Sequence, residues 1–163
     1  MITKKMEKAI NDQINAELFS GYLYLSMAAY FDSINLAGFA NWMKVQAKEE
    51  YKHAMKFYDH VADRLGAVTL KPIEGPKTSW KSPLEALEDT FAHEQKVTGL
   101  INNLVTIAAE EKDNAASVLL QWYVNEQVEE EKSADYLVQV LKMIKDSSQG
   151  LIMLDRELAK RGS

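Results

Sequence analysis

The sequence predicts an all-α protein: a four-helix bundle in which a long crossover joins the second helix to the third and a short fifth helix follows the fourth. The chain of 163 residues has only seven glycines and three prolines, which favours long helices. Four stretches also carry apolar side chains at alternating steps of four and three residues, the spacing of a buried helix face. At this length the chain fits a single domain over residues 1–163.

The first two predicted helices form a hairpin. The first helix covers residues 4–33 with Thr3 as its N-cap, and the second covers about 39–65 and ends before Gly66. The break over residues 32–38 is short and rich in turn formers. A connection this short implies that the two helices run antiparallel.

The crossover is predicted over residues 66–82, which contain glycines and prolines and show no helical pattern. At about 3.3 Å per residue it can run the length of a ~40 Å bundle. Ser82 then resembles the N-cap of a third helix at about 83–111. A break near residues 112–114 leads to the fourth helix, about 115–145.

A short amphipathic fifth helix is predicted after the bundle. Leu151, Leu154 and Leu158 fall on one side of it. Its start is expected near Ser147 or Ser148, since serine is a favourable N-cap.

Composition and charge exclude several classes of function. The chain has no cysteine, which excludes disulfides, Cys-ligated zinc and iron–sulfur centres. Its net charge of −5 gives no indication of a nucleic-acid-binding face. The longest uncharged run, residues 18–31, has 14 residues, whereas a membrane span needs about 20. We therefore expect a cytoplasmic protein that binds neither nucleic acid nor membranes.

The strongest functional signal is a set of polar residues, one or two on each long helix, at the middle of its apolar face. The set is Glu17, then Glu50 with His53, then Glu94, then Gln127 with Glu130. Glu50 and His53 follow Glu17 by 33 and 36 residues in the first hairpin. Gln127 and Glu130 follow Glu94 by the same 33 and 36 residues in the second. At 1.5 Å per residue, all six side chains lie roughly 21–28 Å from the turns. They therefore meet at one level of the bundle.

Four carboxylates and an imidazole in one buried layer need cations, because an unpaired buried carboxylate costs several kcal/mol. Oxygen ligands with a nitrogen suit Fe, Mn or Zn better than Ca or Mg. Glu50 lies between the two halves and could bridge two metals. Glu17 and His53 would complete one site, and Glu94 and Glu130 the other.

At these residues the chain resembles the haem-free prokaryotic ferritins. The resemblance covers the helix order, the crossover, the last helix and three motifs, Gln13-Ile14-Asn15-Ala16-Glu17, Glu49-Glu50-x-x-His53 and Glu126-Gln127-Val128-Glu129-Glu130. It implies a ferritin-like di-iron domain whose ferroxidase centre binds two irons. The implied ligands are Glu17, Glu50, His53, Glu94 and Glu130, with Gln127 beside them.

The resemblance implies two further features of the site. A third iron would bind at Glu49, Glu126 and Glu129, which flank Glu130 toward the inner surface of a shell. Glu126, Glu129 and Glu130 of the fourth helix lie at i, i+3 and i+4, so one helical face can present all three. Tyr24 would lie near the iron and take part in catalysis as a hydrogen-bonding or redox partner.

The chain differs from two related families. Gln127 and Glu130 stand where bacterioferritins carry a second Glu-x-x-His, and Lys52 stands where their haem-ligating methionine is expected. We therefore expect no haem. The lack of cysteine also excludes the rubredoxin-like part of rubrerythrins.

The first helix also predicts self-association. Residues 18–31 are apolar nearly all round, whereas a bundle core buries only one stripe of a helix. The residues alone therefore predict a homo-oligomer. The resemblance implies a hollow shell of 24 subunits with this helix at its two-fold contacts.

The function that the resemblance implies is iron storage and detoxification. Two Fe(II) would bind, dioxygen or hydrogen peroxide would take their electrons, a bridged diferric species would form, and the ferric iron would mineralise inside the shell. One alternative is a di-iron peroxidase or oxygenase on the same bundle without storage, and another is a structural bundle whose polar layer sets register. Assembly size separates the first two, and metal binding separates both from the third.

Overall fold

The computed structural model describes residues 1–162, and five α-helices make up its regular structure. They are α1 (Lys4–Ser33), α2 (Ala37–Asp63), α3 (Pro83–Glu110), α4 (Asn114–Ile144) and α5 (Ser148–Leu158). The start of α1 lies beside the end of α2, where Ile2 N–H donates to the Arg64 carbonyl, so the pair is antiparallel. α3 packs mainly on α4, and α5 on α2. The predicted all-α bundle with a long crossover and a short fifth helix is confirmed.

No helix within residues 1–162 combines the length and the apolar character that crossing a membrane requires.

Side chains cap four of the five helices at their N-termini. Thr3, Ser82, Asp113 and Ser147 each accept a hydrogen bond from the backbone N–H three residues later, at 3.0–3.3 Å. Each cap satisfies one of the N–H groups that have no partner inside the helix. The predicted starts of the first, third and fifth helices are confirmed by these caps.

The N-terminus of α2 is capped by α5 instead of by its own sequence. Phe39 N–H donates to Asp155 Oδ1 at 3.0 Å. With this support the helix begins at Ala37, earlier than the predicted start at 39. Gly38 therefore lies in the first turn of α2, and a Cβ there would lie 1.6 Å from the carbonyl oxygen of Asp155. Only glycine permits this approach of the two backbones.

The apolar core is divided into two clusters along the bundle. One cluster includes Leu23, Phe31, Phe39, Leu87 and Leu137, and the other includes Ile10, Ile14, Phe57, Ile101 and Tyr123. On every long helix the predicted polar residues lie between the residues of one cluster and those of the other. The fold thus buries one polar layer between two apolar halves.

We expect Gly38→Ala to destabilise the protein, because the new Cβ must push α5 away from α2. Overpacking of this kind typically costs 1–3 kcal/mol, roughly. The matched control is Gly99→Ala, since Gly99 is exposed in α3 and a Cβ there meets no atom within 4 Å. That control should gain about 0.5–1 kcal/mol from better helix propensity. Calorimetric melting of both variants is the measurement, and a stabilised Gly38→Ala would contradict the close approach.

Candidate metal centre

Seven polar side chains form the buried layer, each from the inward face of a long helix. They are Glu17, Gln46, Glu50, His53, Glu94, Gln127 and Glu130, and none is more than 6% exposed. Their helical spacing places them among the buried apolar residues of the same faces. Six of the seven were singled out from the sequence, and their role as iron ligands stays a prediction.

One compact group in the layer comes from the first hairpin. One ligand atom each from Glu17, Glu50 and His53 lies within 4.8 Å of the other two, and His53 Nδ1 is 3.3 Å from Glu50 Oε2. Gln13 Nε2 donates to Glu17 Oε1 at 2.9 Å. The other oxygen, Glu17 Oε2, is buried and has no hydrogen-bond partner. Two carboxylates, an imidazole and an unsatisfied acceptor are a donor set that fits a divalent cation.

A second group shares the same histidine. His53, Glu126 and Glu130 also bring one ligand atom each within 4.8 Å, and His53 Nε2 is 3.8 Å from Glu126 Oε1. The two ring nitrogens of His53 therefore face two different acidic groups. Glu126, which the resemblance assigns to a third site, lies beside the buried layer.

Glu94 lies in neither group of three among residues 1–162. Tyr24 OH donates to Glu94 Oε1, and Gln127 Nε2 donates to Glu94 Oε2 at 3.2 Å. Gln46 Nε2 likewise donates a hydrogen bond to Glu130 Oε2. A metal that bound both Glu94 and Glu130 would have to displace or share these donors.

The three residues of the predicted third site lie in different surroundings. Glu126 is beside His53, as described above. Glu49 is half-buried and accepts a hydrogen bond from Arg161 at 2.6 Å, whereas Glu129 is exposed on α4. Within residues 1–162, neither Glu49 nor Glu129 belongs to a compact group of three ligands, so the structure brings only Glu126 of this set into such a group.

Burial and mutual repulsion change the protonation of the layer. Burial raises the pKa of Glu17 well above its usual range, and the charge of Glu50 raises it further. Burial also raises the pKa of Glu50, with the charges of Glu94 and Glu130 adding to the effect. Burial and the neighbouring Glu94 raise the pKa of Glu130 to about 7. Without a cation the layer holds protons, and a bound metal would release them.

Aromatic residues enclose one side of His53. Tyr123 OH donates to the His53 carbonyl at 2.6 Å, and its ring stacks on Phe57 with 3.9 Å between centroids. The Trp122 ring meets the imidazole edge-on at 5.4 Å. The Trp122 and Tyr123 rings thus both pack edge-on against the imidazole and limit the space open to it on this side.

The sequence did not assign roles to Gln13, Gln46 or Arg161. Gln13 precedes Glu17 by four residues on the same helix, so its contact could have been anticipated from spacing. Gln46 reaches from α2 to α4 and Arg161 approaches from beyond α5. Such contacts depend on packing between distant parts of the chain.

Comparison with known proteins gives consistent results. Residues 7–144 match the family model described as a ferritin-like domain. A bacterial non-heme ferritin from Bacteroides fragilis is 43% identical over 161 residues, covering 99% of this chain and 100% of the relative. A bacterial non-heme ferritin from Staphylococcus haemolyticus is 42% identical over 161 residues, covering 99% of this chain and 97% of the relative. The solved structure of an open pore ferritin from the archaeon Archaeoglobus fulgidus has a TM-score of 0.99 and 52% identity, covering 99% and 100%.

We expect Glu130→Gln to change how stability depends on pH in metal-free protein. The folded-state pKa of Glu130 is about 7 against a reference value of 4.5, so below pH 4.5 the group is protonated in both states and costs no stability. Between pH 4.5 and 7 the unfolded chain loses this proton while the folded protein keeps it, so the free energy of unfolding falls as pH rises. Relative to the variant, the wild type should lose about 3 kcal/mol per subunit across that interval. Melting of chelator-treated protein between pH 4.5 and 8 measures it.

The matched control for this experiment is Glu110→Gln, because Glu110 is an exposed glutamate of α3. Its pH profile should parallel that of the wild type. Addition of Zn(II) at pH 8, where Glu130 has lost its proton, should raise the melting temperature of the wild type more than that of Glu130→Gln, since the variant lacks this anionic ligand. Parallel pH profiles of wild type, Glu130→Gln and Glu110→Gln would contradict the raised pKa of Glu130.

Proposed function

The chain belongs to the ferritin family of iron-storage proteins, and on that basis we propose that it is a ferroxidase that also mineralises iron. It oxidises Fe(II) with dioxygen in the buried polar layer and keeps the ferric product inside a hollow homo-oligomer. The family predicted from the sequence is confirmed. The family match does not favour a di-iron peroxidase or oxygenase without storage.

The observation that carries the proposal is the group of Glu17, Glu50 and His53. Its ligand atoms lie within 4.8 Å of one another, and Glu17 Oε2 is buried without a donor. In a bundle core such an oxygen costs free energy unless a proton or a cation meets it. Fe(II) supplies that cation, and the protons that the layer holds leave as it binds.

We assign the ligands of two ferrous ions within this layer. Glu17 and His53 hold one iron, Glu94 and Glu130 hold the other, and Glu50 bridges them. The first group needs no rearrangement, whereas both oxygens of Glu94 accept hydrogen bonds. The first ion therefore binds at Glu17 and His53, and the second binds as Glu94 exchanges donors for metal. Each Fe(II) gives one electron, and dioxygen takes both.

Tyr24 acts as a hydrogen-bond partner of the second ion's ligand. Its hydroxyl donates to Glu94 Oε1. Burial raises the pKa of Tyr24 well above its usual range, and the charge of Glu94 adds to the effect. The phenol therefore stays protonated and orients Glu94.

Ferric iron leaves the layer by way of Glu126 and Glu129. Glu126 already lies in a group with His53 and Glu130, and Glu129 is exposed three residues further along α4. Together with Glu49 they form the third iron site, a step between the buried layer and the surface.

An exposed apolar face supports assembly into a shell. Tyr22 and Leu25 of α1, Tyr51 of α2 and Ile73 of the crossover are all exposed, between 40% and 58%, and line one groove. Apolar side chains clustered in this way mark an interaction surface. With the family membership, this face supports a shell of 24 subunits.

We expect Glu50→Ala to lower the initial rate of Fe(II) oxidation at least tenfold, because both ions lose their shared ligand. The estimate follows from the tenfold or larger losses, roughly, that accompany changes close to a metal. The measurement is aerobic addition of about two Fe(II) per subunit, with the rate of oxidation followed by the absorbance of the ferric product. Glu110→Ala, an exposed glutamate of α3, is the control and should keep the wild-type rate. An unchanged rate in Glu50→Ala would remove the central assignment.

We expect Leu25→Glu to separate oxidation from storage. A buried charge in the subunit contact is unfavourable, so light scattering should show small oligomers instead of a particle of about 24 subunits. The variant should still oxidise the first irons rapidly, while excess iron precipitates. Leu25→Met is the matched control and should assemble and keep iron in solution. A small wild-type oligomer that precipitates iron would contradict the storage function.

A further inference from the structure

Arg161 is held in place on three sides although it lies beyond α5. Its Nη2 donates to Glu49 Oε2 at 2.6 Å, and its Cζ lies 4.5 Å from the centre of the Trp42 ring. Its Nη1 also donates to the Trp42 carbonyl at 3.5 Å. The side chains of Arg161 and Glu49 are 26% and 32% exposed, so water reaches the pair only partly.

The docking of α5 brings Arg161 to this position. Asp155 caps α2 through Phe39 N–H. Asn41 Nδ2 donates to the carbonyls of Leu158 and Arg161 at 3.2 and 3.0 Å. The backbone of Arg161 is thus fixed to α2 two turns before Glu49.

Glu49 belongs electrostatically to the acidic layer. It directly precedes Glu50 on α2, and its charge contributes to the raised pKa of both Glu50 and Glu130. In the proposed function it is also a ligand of the third iron site. A cation on Glu49 therefore occupies a ligand that departing iron would use.

We propose that Arg161 is a built-in competitor at the third iron site: its guanidinium holds Glu49 and must be displaced by a metal ion that binds there. The inference rests on the proposed function. A guanidinium and a divalent cation cannot share this carboxylate without repulsion. The pair therefore weakens the third site, so that iron passes through it toward the surface instead of remaining bound.

The test is titration of chelator-treated protein with Zn(II), followed by calorimetry. Two tight sites and a weaker third site per subunit are expected. Arg161→Gln should tighten the third site about two- to fivefold, the range that corresponds to a partly exposed ion pair, and leave the other two unchanged. Arg161→Lys keeps the charge and should tighten the third site less than Arg161→Gln.

The matched control is Arg156→Gln, which removes the same charge from an exposed position on α5 and should leave all sites unchanged. Glu49→Gln should abolish the difference between wild type and Arg161→Gln, since the competition acts through that carboxylate. Melting curves report whether Arg161→Gln keeps α5 docked. If α5 loosens in Arg161→Gln, the comparison with Glu49→Gln remains valid, because Arg161→Gln then has the same loosened α5 with and without Glu49→Gln.

Third-site affinity that is unchanged or lower in Arg161→Gln would overturn the inference, as would a difference that persists with Glu49→Gln. A titration with two tight sites and no third site in either protein would also overturn it, while leaving the ferroxidase proposal intact. Failure of the wild type to accelerate Fe(II) oxidation would overturn the proposed function instead. The two failures are therefore distinguishable.

Discussion

Burial of carboxylates in the middle of an apolar bundle is the constraint on which the rest of the structure depends. Charged groups lose their hydration there, and only hydrogen bonds, protons or metal ions can replace it. Gln13, Tyr24 and Gln127 donate to two of the carboxylates, and raised pKa values retain protons on others. Glu17 Oε2 is left without a donor. This partial satisfaction is what a site prepared for a cation requires.

The two hairpins satisfy this constraint by placing their polar groups at equal distances from their turns. A short turn fixes the relative height of two antiparallel helices, and the crossover then aligns one hairpin with the other. Apolar clusters above and below the layer hold the four helices together. Metal chemistry can therefore be introduced at one level while the stability of the bundle comes from the other levels.

Much of this arrangement could be predicted from the sequence, because it follows from periodicity along single helices. Most helix limits, three N-caps and the common level of six polar residues all come from local spacing. Contacts between distant segments could not be predicted. Asp155 moves the start of α2, Gln46 crosses to Glu130, and Glu126 approaches His53. Each depends on how elements pack, which no spacing within one helix encodes.

The matched hairpins are equal in spacing but unequal in chemistry. Where the first supplies Glu50 and His53, the second supplies Gln127 and Glu130, so the only imidazole of the described layer comes from the first hairpin. A nitrogen donor is softer than a carboxylate or amide oxygen, and oxygen donors favour the harder, more highly charged ion. The two sides of the layer therefore offer different donor atoms, nitrogen with oxygen on the first hairpin and oxygen on the second. Two ions bound in it would be inequivalent, with different tendencies to give up an electron and different rates of exchange.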